Sequence, residues 1–354
     1  MMLWNQKIGP NGKPLSPSSR IHQKIQRVVT AIIACSPFLW VFSSYSNRSI
    51  ALTSSLRDPN RGKGGHPIVE CSILKQFQIC SHRLLEPPDN TVAGSMAAMT
   101  AFWNRGIRCF DIDSVTTKDS QLIAAHPEIL GPKISPNSKS FDPASFTLED
   151  MRSLGADEEG FPVLITVLEH YASLINSDET TKIPYFSENS QYVRGSLFHL
   201  DLKGPNLTPK HLDHIQDKLL ELGIQNNVAI CAGVLKDGDV GPGFDMLKHL
   251  GRNASRGSMC LVLRDREERD RNVAMVHDVV NNNEAIRSYA SSYKFEKEFF
   301  SQLRGMPIIT WTIDNEETLT YSIESGAAGV VTNHPMKLQK MLQDWIKGNQ
   351  CVGG

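Results

Sequence analysis

Two carboxylates in the middle of the chain have the spacing of a metal site. Asp111 and Asp113 are two residues apart in the apolar run IRCFDID, so both side chains lie on one face of a predicted strand. Like charges on one face repel, and a divalent cation would compensate them, with Asp201 as a third ligand. Oxygen ligands favour Mg²⁺, Ca²⁺ or Mn²⁺ over zinc. The alternative is that these aspartates cap a loop or bind arginines.

Basic residues and histidines accompany the acids. Lys203 lies two residues after Asp201, and an ammonium next to a metal ligand suits a phosphate, because both cations neutralise phosphoryl oxygens. Arg83 adds a forked contact, and His82 and His126 supply a base and an acid for proton transfer. The alternative for the pair His82 and Arg83 is an ordinary surface loop.

The elements that position these residues alternate between strand and helix. Strands are predicted at 77–82, 107–113, 121–126, 196–204, 226–233, 258–265, 306–314 and 327–333, with helices between several of them, such as 91–106, 208–223 and 315–326. Alternation of this kind implies parallel strands joined by right-handed crossovers. About eight strands over roughly 270 residues predict a (β/α)8 TIM-type barrel, whose active site forms where the strands end. A doubly wound sheet is the competitor, but no glycine-rich phosphate loop follows a strand.

The motifs resemble those of the glycerophosphodiester phosphodiesterase family. SHRLLEPPDNT is similar to that family's His-Arg-Gly and Pro-Glu-Asn-Thr segments, CFDID to its Glu-x-Asp, FHLDLKG to its acid-x-Lys strand, and the stretch from IITWTID to VVTNHP to its closing strands. The resemblance covers about residues 76–340. It implies metal-assisted hydrolysis of a glycerophosphodiester or lysophospholipid, with the cation on Asp111, Asp113 and Asp201. It also implies a Trp311 that lines the pocket, although barrel core is an equal alternative for this residue.

The chain departs from the family pattern at several motif positions. Leu84 stands where the family has Gly, Pro127 follows His126 where the family has Asp, and Asn333 replaces the last Asp. Asp also replaces Glu at three positions, which keeps the charge. Some features resemble the related sphingomyelinase D enzymes and the menorin-like proteins. Two alternatives therefore stay open: a sphingomyelinase D-like or phospholipase D-like enzyme, and a catalytically inactive binding ectodomain.

The N-terminal region predicts a membrane anchor. Residues 28–45 form an uncharged run of 18 residues, five basic residues precede it, and no acidic residue occurs before Asp58. This pattern favours a single-pass type II anchor, with residues 1–27 cytoplasmic, 46–70 a linker, and 71–354 a lumenal or extracellular barrel domain. The alternatives are a cleaved signal peptide, and so a secreted protein, and a buried helix of a soluble protein.

Charge and cysteine content complete the sequence-based expectations. The formal net charge of −1 gives no field that would attract nucleic acid. Cys71 and Cys80 lie nine residues apart and are predicted to form a disulfide. Three Asn-x-Ser/Thr sequons, at Asn47, Asn206 and Asn253, are candidate glycosylation sites in a secretory compartment.

Overall fold

The computed structural model describes residues 74, 76–134, 141–177, 195–203, 207–233, 235–236, 239–240, 249, 258–263, 286–292, 294 and 307–348. The predicted cytoplasmic tail, membrane anchor, linker and all three sequons lie outside these residues. Among the helices in the described ranges, none has the length and apolarity needed to span a bilayer.

Strands and helices alternate along most of the described chain. The strands are β1 (Gln78–His82), β2 (Cys109–Thr116), β3 (Leu122–Ala124), β4 (Leu197–Lys203), β5 (Val228–Gly233), β6 (Leu235–Lys236), β7 (Asp239–Val240), β8 (Ser258–Leu263), β9 (Ile286–Ser292), β10 (Ile308–Trp311) and β11 (Gly329–Thr332). The helices are α1 (Met96–Asn104), α2 (Pro127–Ile134), α3 (Leu148–Ser153), α4 (Leu164–Ser177), α5 (Pro209–Glu221), α6 (Glu316–Glu324) and α7 (Pro335–Gly348). Short 3₁₀ turns lie at Pro88–Asn90 and Pro143–Ser145.

Eight parallel strands form a closed ring. The order around the ring is β1, β2, β4, β5, β8, β9, β10 and β11, and β11 pairs with β1 to close it. Every one of these pairings is parallel, as crossover connections require. The predicted (β/α)8-type fold is therefore confirmed.

Two strands differ from the sequence-based prediction. The predicted strand at 121–126 is β3, which pairs antiparallel with β2 and stays outside the ring. Only five residues separate β2 from β3, too few for the crossover of a dozen or more residues that a parallel partner needs. The eighth ring strand is instead β9, which the sequence analysis missed.

The two faces of the ring bury different side chains. Alternate residues along each strand point inward or outward. The outward set, including Phe110 and Phe198, packs with the helices in the main hydrophobic core. The inward set is a smaller cluster that contains four cysteines, where barrels usually place branched aliphatic residues.

The predicted disulfide between Cys71 and Cys80 is wrong. Cys80 is bonded to Cys109, with an S–S distance of 1.98 Å, inside the barrel. The two residues are register partners on the neighbouring strands β1 and β2, and both are fully buried. Strand pairing, and not proximity along the chain, therefore selects the partner of Cys80.

Candidate active site

The site lies at the carboxyl ends of β1, β2 and β4. β2 and β4 are aligned so that Asp111 faces His199 and Asp113 faces Asp201 across the pair. His82, the last residue of β1, is the register partner of Asp111. The parallel sheet thus brings residues from distant parts of the sequence to one rim, as the sequence analysis expected.

Asp113 is the centre of an ion-pair network. This carboxylate is 4% exposed and accepts a hydrogen bond from Arg83 Nε at 2.7 Å, while Lys203 Nζ lies 2.9 Å from its other oxygen. Lys203 Nζ is also 2.7 Å from Asp201 Oδ2. Burial by itself lowers the pKa of Lys203, but the two carboxylates outweigh burial and raise it. Lys203 is therefore a firmly charged ammonium between Asp113 and Asp201.

Asp111 is placed differently from the other two acids. Its nearest basic groups are two histidine rings, with His199 Nδ1 at 3.7 Å and His82 Nε2 at 4.0 Å. Burial raises the pKa of Asp111 well above its usual value, and the neighbouring carboxylates of Asp113 and Asp201 raise it further. A cation beside Asp111 would relieve this repulsion, and carboxylate oxygens are ligands that Mg²⁺ or Ca²⁺ accepts. The oxygens of Asp111, Asp113 and Asp201 do not all lie within 4.8 Å of one another, so the three side chains would have to move closer to share one ion.

His82 is oriented by a chain of hydrogen bonds from the last ring strand. Asn333 donates its amide hydrogen to Asp314 Oδ2 at 2.9 Å, so its carbonyl oxygen faces His82 Nδ1 at 2.7 Å. Nδ1 must therefore carry the proton, and Nε2 keeps its lone pair towards the site. Burial lowers the pKa of His82, with Arg83 as the next cause, so the ring is neutral at neutral pH.

His126 has the opposite tautomer. Its Nδ1 accepts a hydrogen bond from the backbone amide of Glu128 at 3.2 Å, so a neutral ring carries its proton on Nε2. Burial lowers the pKa of His126 to about 4, and Arg83 and Lys203 act in the same direction against the opposing charge of Asp113. The two histidines thus present a lone pair and an N–H donor, respectively.

A strained turn after β1 aims Arg83 at the rim. Arg83 and Leu84 have φ angles of 55° and 53°, in the left-handed region that favours glycine. A glycine at position 84 would adopt this φ angle without strain. The Leu84 side chain is 1% exposed, so its packing in the core offsets part of the cost of the strained backbone. The turn is also tied by a 2.7 Å hydrogen bond from the Arg83 amide to the Asp111 carbonyl.

A small pocket opens beside these groups. Arg83, Asp113 and His126 form its polar side, and Leu85, Ile129 and Phe161 are among its apolar lining. Trp311 does not line this pocket. It ends β10, is partly buried against the inward cluster, and its indole N–H finds no hydrogen-bond acceptor within the described part of the chain.

The sequence analysis missed two residues of this region. Asn333 was noted as a departure from the family pattern but not as the partner of His82, and His199 was passed over as part of a strand. The signal for Asn333 was its place at the end of the last strand. The signal for His199 was its position two residues before Asp201, which puts both side chains on the inward face.

Comparisons with known proteins agree with this architecture. A protein assigned as a glycerophosphoryl diester phosphodiesterase from Silicibacter pomeroyi is 14% identical, with a TM-score of 0.57 over 76% of this chain and 94% of that one. A protein assigned as a glycerophosphodiester phosphodiesterase from Galdieria sulphuraria is 14% identical, with a TM-score of 0.55 over 75% and 98%. The glycerophosphodiester phosphodiesterase of Thermotoga maritima is 16% identical, with a TM-score of 0.51 over 75% and 98%.

These similarities are found in structure alone. No protein-family model and no curated protein sequence matches this chain. At identities of 14–16%, the shared property is the arrangement of the backbone. The resemblance first seen in the motifs is thus confirmed at the level of architecture, and this chain has the fold of the glycerophosphodiester phosphodiesterases.

Proposed function

We propose that the protein hydrolyses phosphodiesters, with glycerophosphodiesters as the primary substrate class. The observation that carries this proposal is the pair of histidines, His82 with its proton on Nδ1 and His126 with its proton on Nε2, near Arg83 and Lys203. Two cationic side chains suit the anionic phosphoryl group, and the two rings suit a proton transfer in each direction.

The phosphate would bind between the two basic residues. A guanidinium has five N–H donors and an ammonium has three. Arg83 directs its Nε towards Asp113, and Lys203 contacts Asp113 and Asp201, which leaves donors on both groups for phosphoryl oxygens. The aspartates hold the two cations in place, so the phosphate meets a prearranged site.

The histidines would then move the protons. The lone pair on His82 Nε2 accepts the proton of the attacking oxygen, from water or from a neighbouring hydroxyl of the substrate. The bound phosphodiester is an anion, and its charge offsets that of Arg83 and Lys203 and so raises the pKa of His126. Protonated His126 gives the Nε2 proton to the leaving alcohol as the phosphorus–oxygen bond breaks.

A divalent cation is part of the proposal. Asp111, with Asp113 and Asp201, would hold Mg²⁺ or Ca²⁺, because these carboxylates repel one another and Asp111 has no ammonium or guanidinium partner in the described structure. Binding would require the three side chains to move closer together, since their oxygens do not all lie within 4.8 Å of one another. A bound cation supplies positive charge that stabilises the phosphoryl oxygens in the transition state.

An assay of the purified protein tests the proposal. Glycerophosphodiesters and lysophospholipids are offered with Mg²⁺ or Ca²⁺, and with EDTA. We expect hydrolysis that EDTA abolishes, with higher kcat/KM on glycerophosphodiesters, because the pocket beside Arg83 is small. Lysophospholipids are the second substrate class, since the pocket wall contributed by Ile129 and Phe161 is apolar.

Variants identify the catalytic residues. His82→Ala and His126→Ala should each lower kcat about 10²–10⁴-fold, while the matched control His214→Ala, an exposed histidine on α5, should not. If His82→Ala hydrolyses every substrate at the wild-type rate, the enzymatic proposal is wrong. Binding of a headgroup without any turnover would instead support the inactive ectodomain.

We also propose that the barrel is lumenal or extracellular behind a type II anchor. The basic flank before residues 28–45 supports this orientation, and the disulfide between Cys80 and Cys109 is typical of an oxidising compartment. Protease treatment of intact membrane vesicles should leave the barrel protected and digest the N-terminal tail. The reverse protection pattern would refute the orientation.

A further inference from the structure

We propose that His199, Cys231 and Cys260 form a zinc site inside the barrel, distinct from the acidic rim. Their ligand atoms all lie within 4.8 Å of one another. Within the described residues, this is the group of His, Cys, Asp and Glu side chains whose ligand atoms are close enough to hold one ion. Thiolate and imidazole are borderline or soft ligands, so this set suits zinc and not the Mg²⁺ or Ca²⁺ proposed for the rim.

The strand register creates the cluster. Cys231 on β5 is the register partner of Cys260 on β8, and it is also the partner of Asp201 on β4. His199 lies two residues before Asp201 and so shares its inward face. Three adjacent strands therefore supply one ligand each, and rigid strands fix ligand geometry better than loops do.

His199 shows the chemical need for a partner. Its side chain is fully buried, and neither ring nitrogen has a hydrogen-bond partner among the described residues. A buried polar group without a partner is costly, and buried polar groups in folded proteins are rarely left in that state. A zinc ion bound to one nitrogen would satisfy that nitrogen directly.

The dimensions suit a tetrahedral ion. With Zn–S bonds of about 2.3 Å and Zn–N bonds of about 2.0–2.1 Å, neighbouring ligand atoms lie about 3.5–3.8 Å apart. The ligand atoms lie no more than 4.8 Å apart, so the cluster needs to contract by about 1.0–1.3 Å at most. Binding would release the thiol protons of Cys231 and Cys260, since thiolates are the ligands.

The rim provides the access route and the fourth position. Asp111 Oδ1 lies 3.7 Å from His199 Nδ1, and the Asp111 side chain is 18% exposed. The three cluster side chains are buried, so the ion would enter past Asp111, and a water on that side would complete four ligands.

The competing fate of the two thiols is a disulfide. Cys80 and Cys109 are register partners on neighbouring parallel strands and are bonded, and Cys231 and Cys260 share that arrangement but are both reduced. Oxidation of this second pair would remove both sulfur ligands at once. The experiment must therefore measure metal content and thiol state together.

The full-length wild-type chain is purified without chelator, exposed to zinc and dialysed, and its metal is measured by mass spectrometry. We expect close to one zinc ion per chain. Cys231→Ser and Cys260→Ser should each lose most of this zinc, whereas Asp113→Asn, which alters the acidic rim, should retain it. Because a serine variant can fail to fold, wild-type protein loaded with Co²⁺ is the second measurement, and thiolate-to-cobalt charge-transfer absorption is expected.

Three results would overturn the site. The first is wild-type protein without stoichiometric zinc and without the cobalt band. The second is a Cys231–Cys260 disulfide in peptides mapped without reduction. The third is zinc that both cysteine variants keep and Asp113→Asn loses. None of these readouts depends on phosphodiesterase activity, so the zinc site and the proposed function can fail separately.

Discussion

At the residue scale, different hydrogen-bond partners give His82 and His126 different tautomers. Asn333 requires a proton on Nδ1 of His82, and the Glu128 amide excludes one from Nδ1 of His126. The resulting tautomers give one ring a basic nitrogen towards the site and the other an acidic N–H. The sequence alone could not assign these tautomers, because the partner of His82 lies 251 positions away and that of His126 depends on the local backbone conformation at the start of α2.

Asn333 acts as a positioning residue for His82. Asn333→Ala would free the His82 ring to rotate and to change tautomer, so kcat should fall about 10–100-fold, the usual cost of losing such a supporting contact. KM should change little, because the Asn333 side chain contacts His82 and Asp314 and not Arg83 or Lys203, the proposed phosphate-binding residues. Steady-state kinetics check this split. A rise in KM at unchanged kcat would assign Asn333 to substrate binding instead.

His126 should make the protein sensitive to acid. Its pKa is about 4 in the folded chain, below the usual 6.5 that it regains on unfolding. Between these values the unfolded chain binds the proton first, so stability is lost as pH falls from 6.5 towards 4. The loss in the free energy of unfolding is about 2 kcal/mol, a value that allows for screening by the solvent that reaches the His126 ring.

Urea unfolding at pH 7 and pH 4.5 measures this loss. His126→Gln should lower the difference in the free energy of unfolding between the two pH values by about 2 kcal/mol relative to wild type. An equal difference in wild type and variant would mean that His126 ionises normally. The exposed His214 is the matched control, and His214→Gln should leave the difference unchanged.

At the element scale, the seam between β1 and β11 depends on one glycine. A Cβ added to Gly329 would lie 2.6 Å from the Gln78 carbonyl oxygen and 2.8 Å from the Gln78 Cβ. Backbone cannot yield as the end of a flexible side chain can, so the two strands would have to separate. The close pairing of β1 with β11 therefore requires a glycine at position 329.

Gly329→Ala should lower the free energy of unfolding by about 1–3 kcal/mol, the usual cost of overpacking. Gly160→Ala is the matched control, because the nearest atom to its added Cβ is the end of the Asp157 side chain at 3.3 Å. Chemical denaturation of both variants makes the comparison. Equal stabilities for the two variants would show that the seam can open without cost.

The polar site residues at strand ends could be predicted where the local sequence shows an apolar run that ends in polar residues. The runs around His82, Asp111 and Lys203 end in polar residues after apolar stretches, and a parallel barrel has to place such ends together. β9 was not predictable in the same way, because IRSYASS has few large apolar residues and is stabilised by its two neighbouring strands. The antiparallel pairing of β3 with β2 could be predicted from the short connection between them. The strand-like pattern of QLIAAH instead led to the prediction of a ring strand.

At the scale of the whole molecule, the disulfide and the strand register depend on residues that are far apart in the sequence. Nothing in the spacing of the cysteines identifies Cys109 as the partner of Cys80, since the two are 29 positions apart and α1 lies between them. Closing a loop of this length in the unfolded chain is worth about 3–4 kcal/mol in the chain-entropy model. The disulfide joins the first two ring strands beside the seam.

The double variant Cys80→Ala/Cys109→Ala should therefore be about 3–4 kcal/mol less stable than wild type. Cys71→Ala is the matched control and should keep wild-type stability, because Cys80 has its partner in β2. Thermal and denaturant unfolding of the three proteins, with peptide mapping without reduction, checks both points. A mapped Cys71–Cys80 bond would contradict the structure.

The contact between His82 and Asn333 spans 251 positions of the sequence. The proposed base ends β1, and the residue that orients it directly follows β11, the last strand of the ring along the chain. A nascent or prematurely terminated chain that ends before Asn333 would carry both histidines, all three aspartates and both phosphate-binding cations and would still lack an aligned base. The protein would thus reach its full activity only when the final strand has docked and Asn333 has met His82.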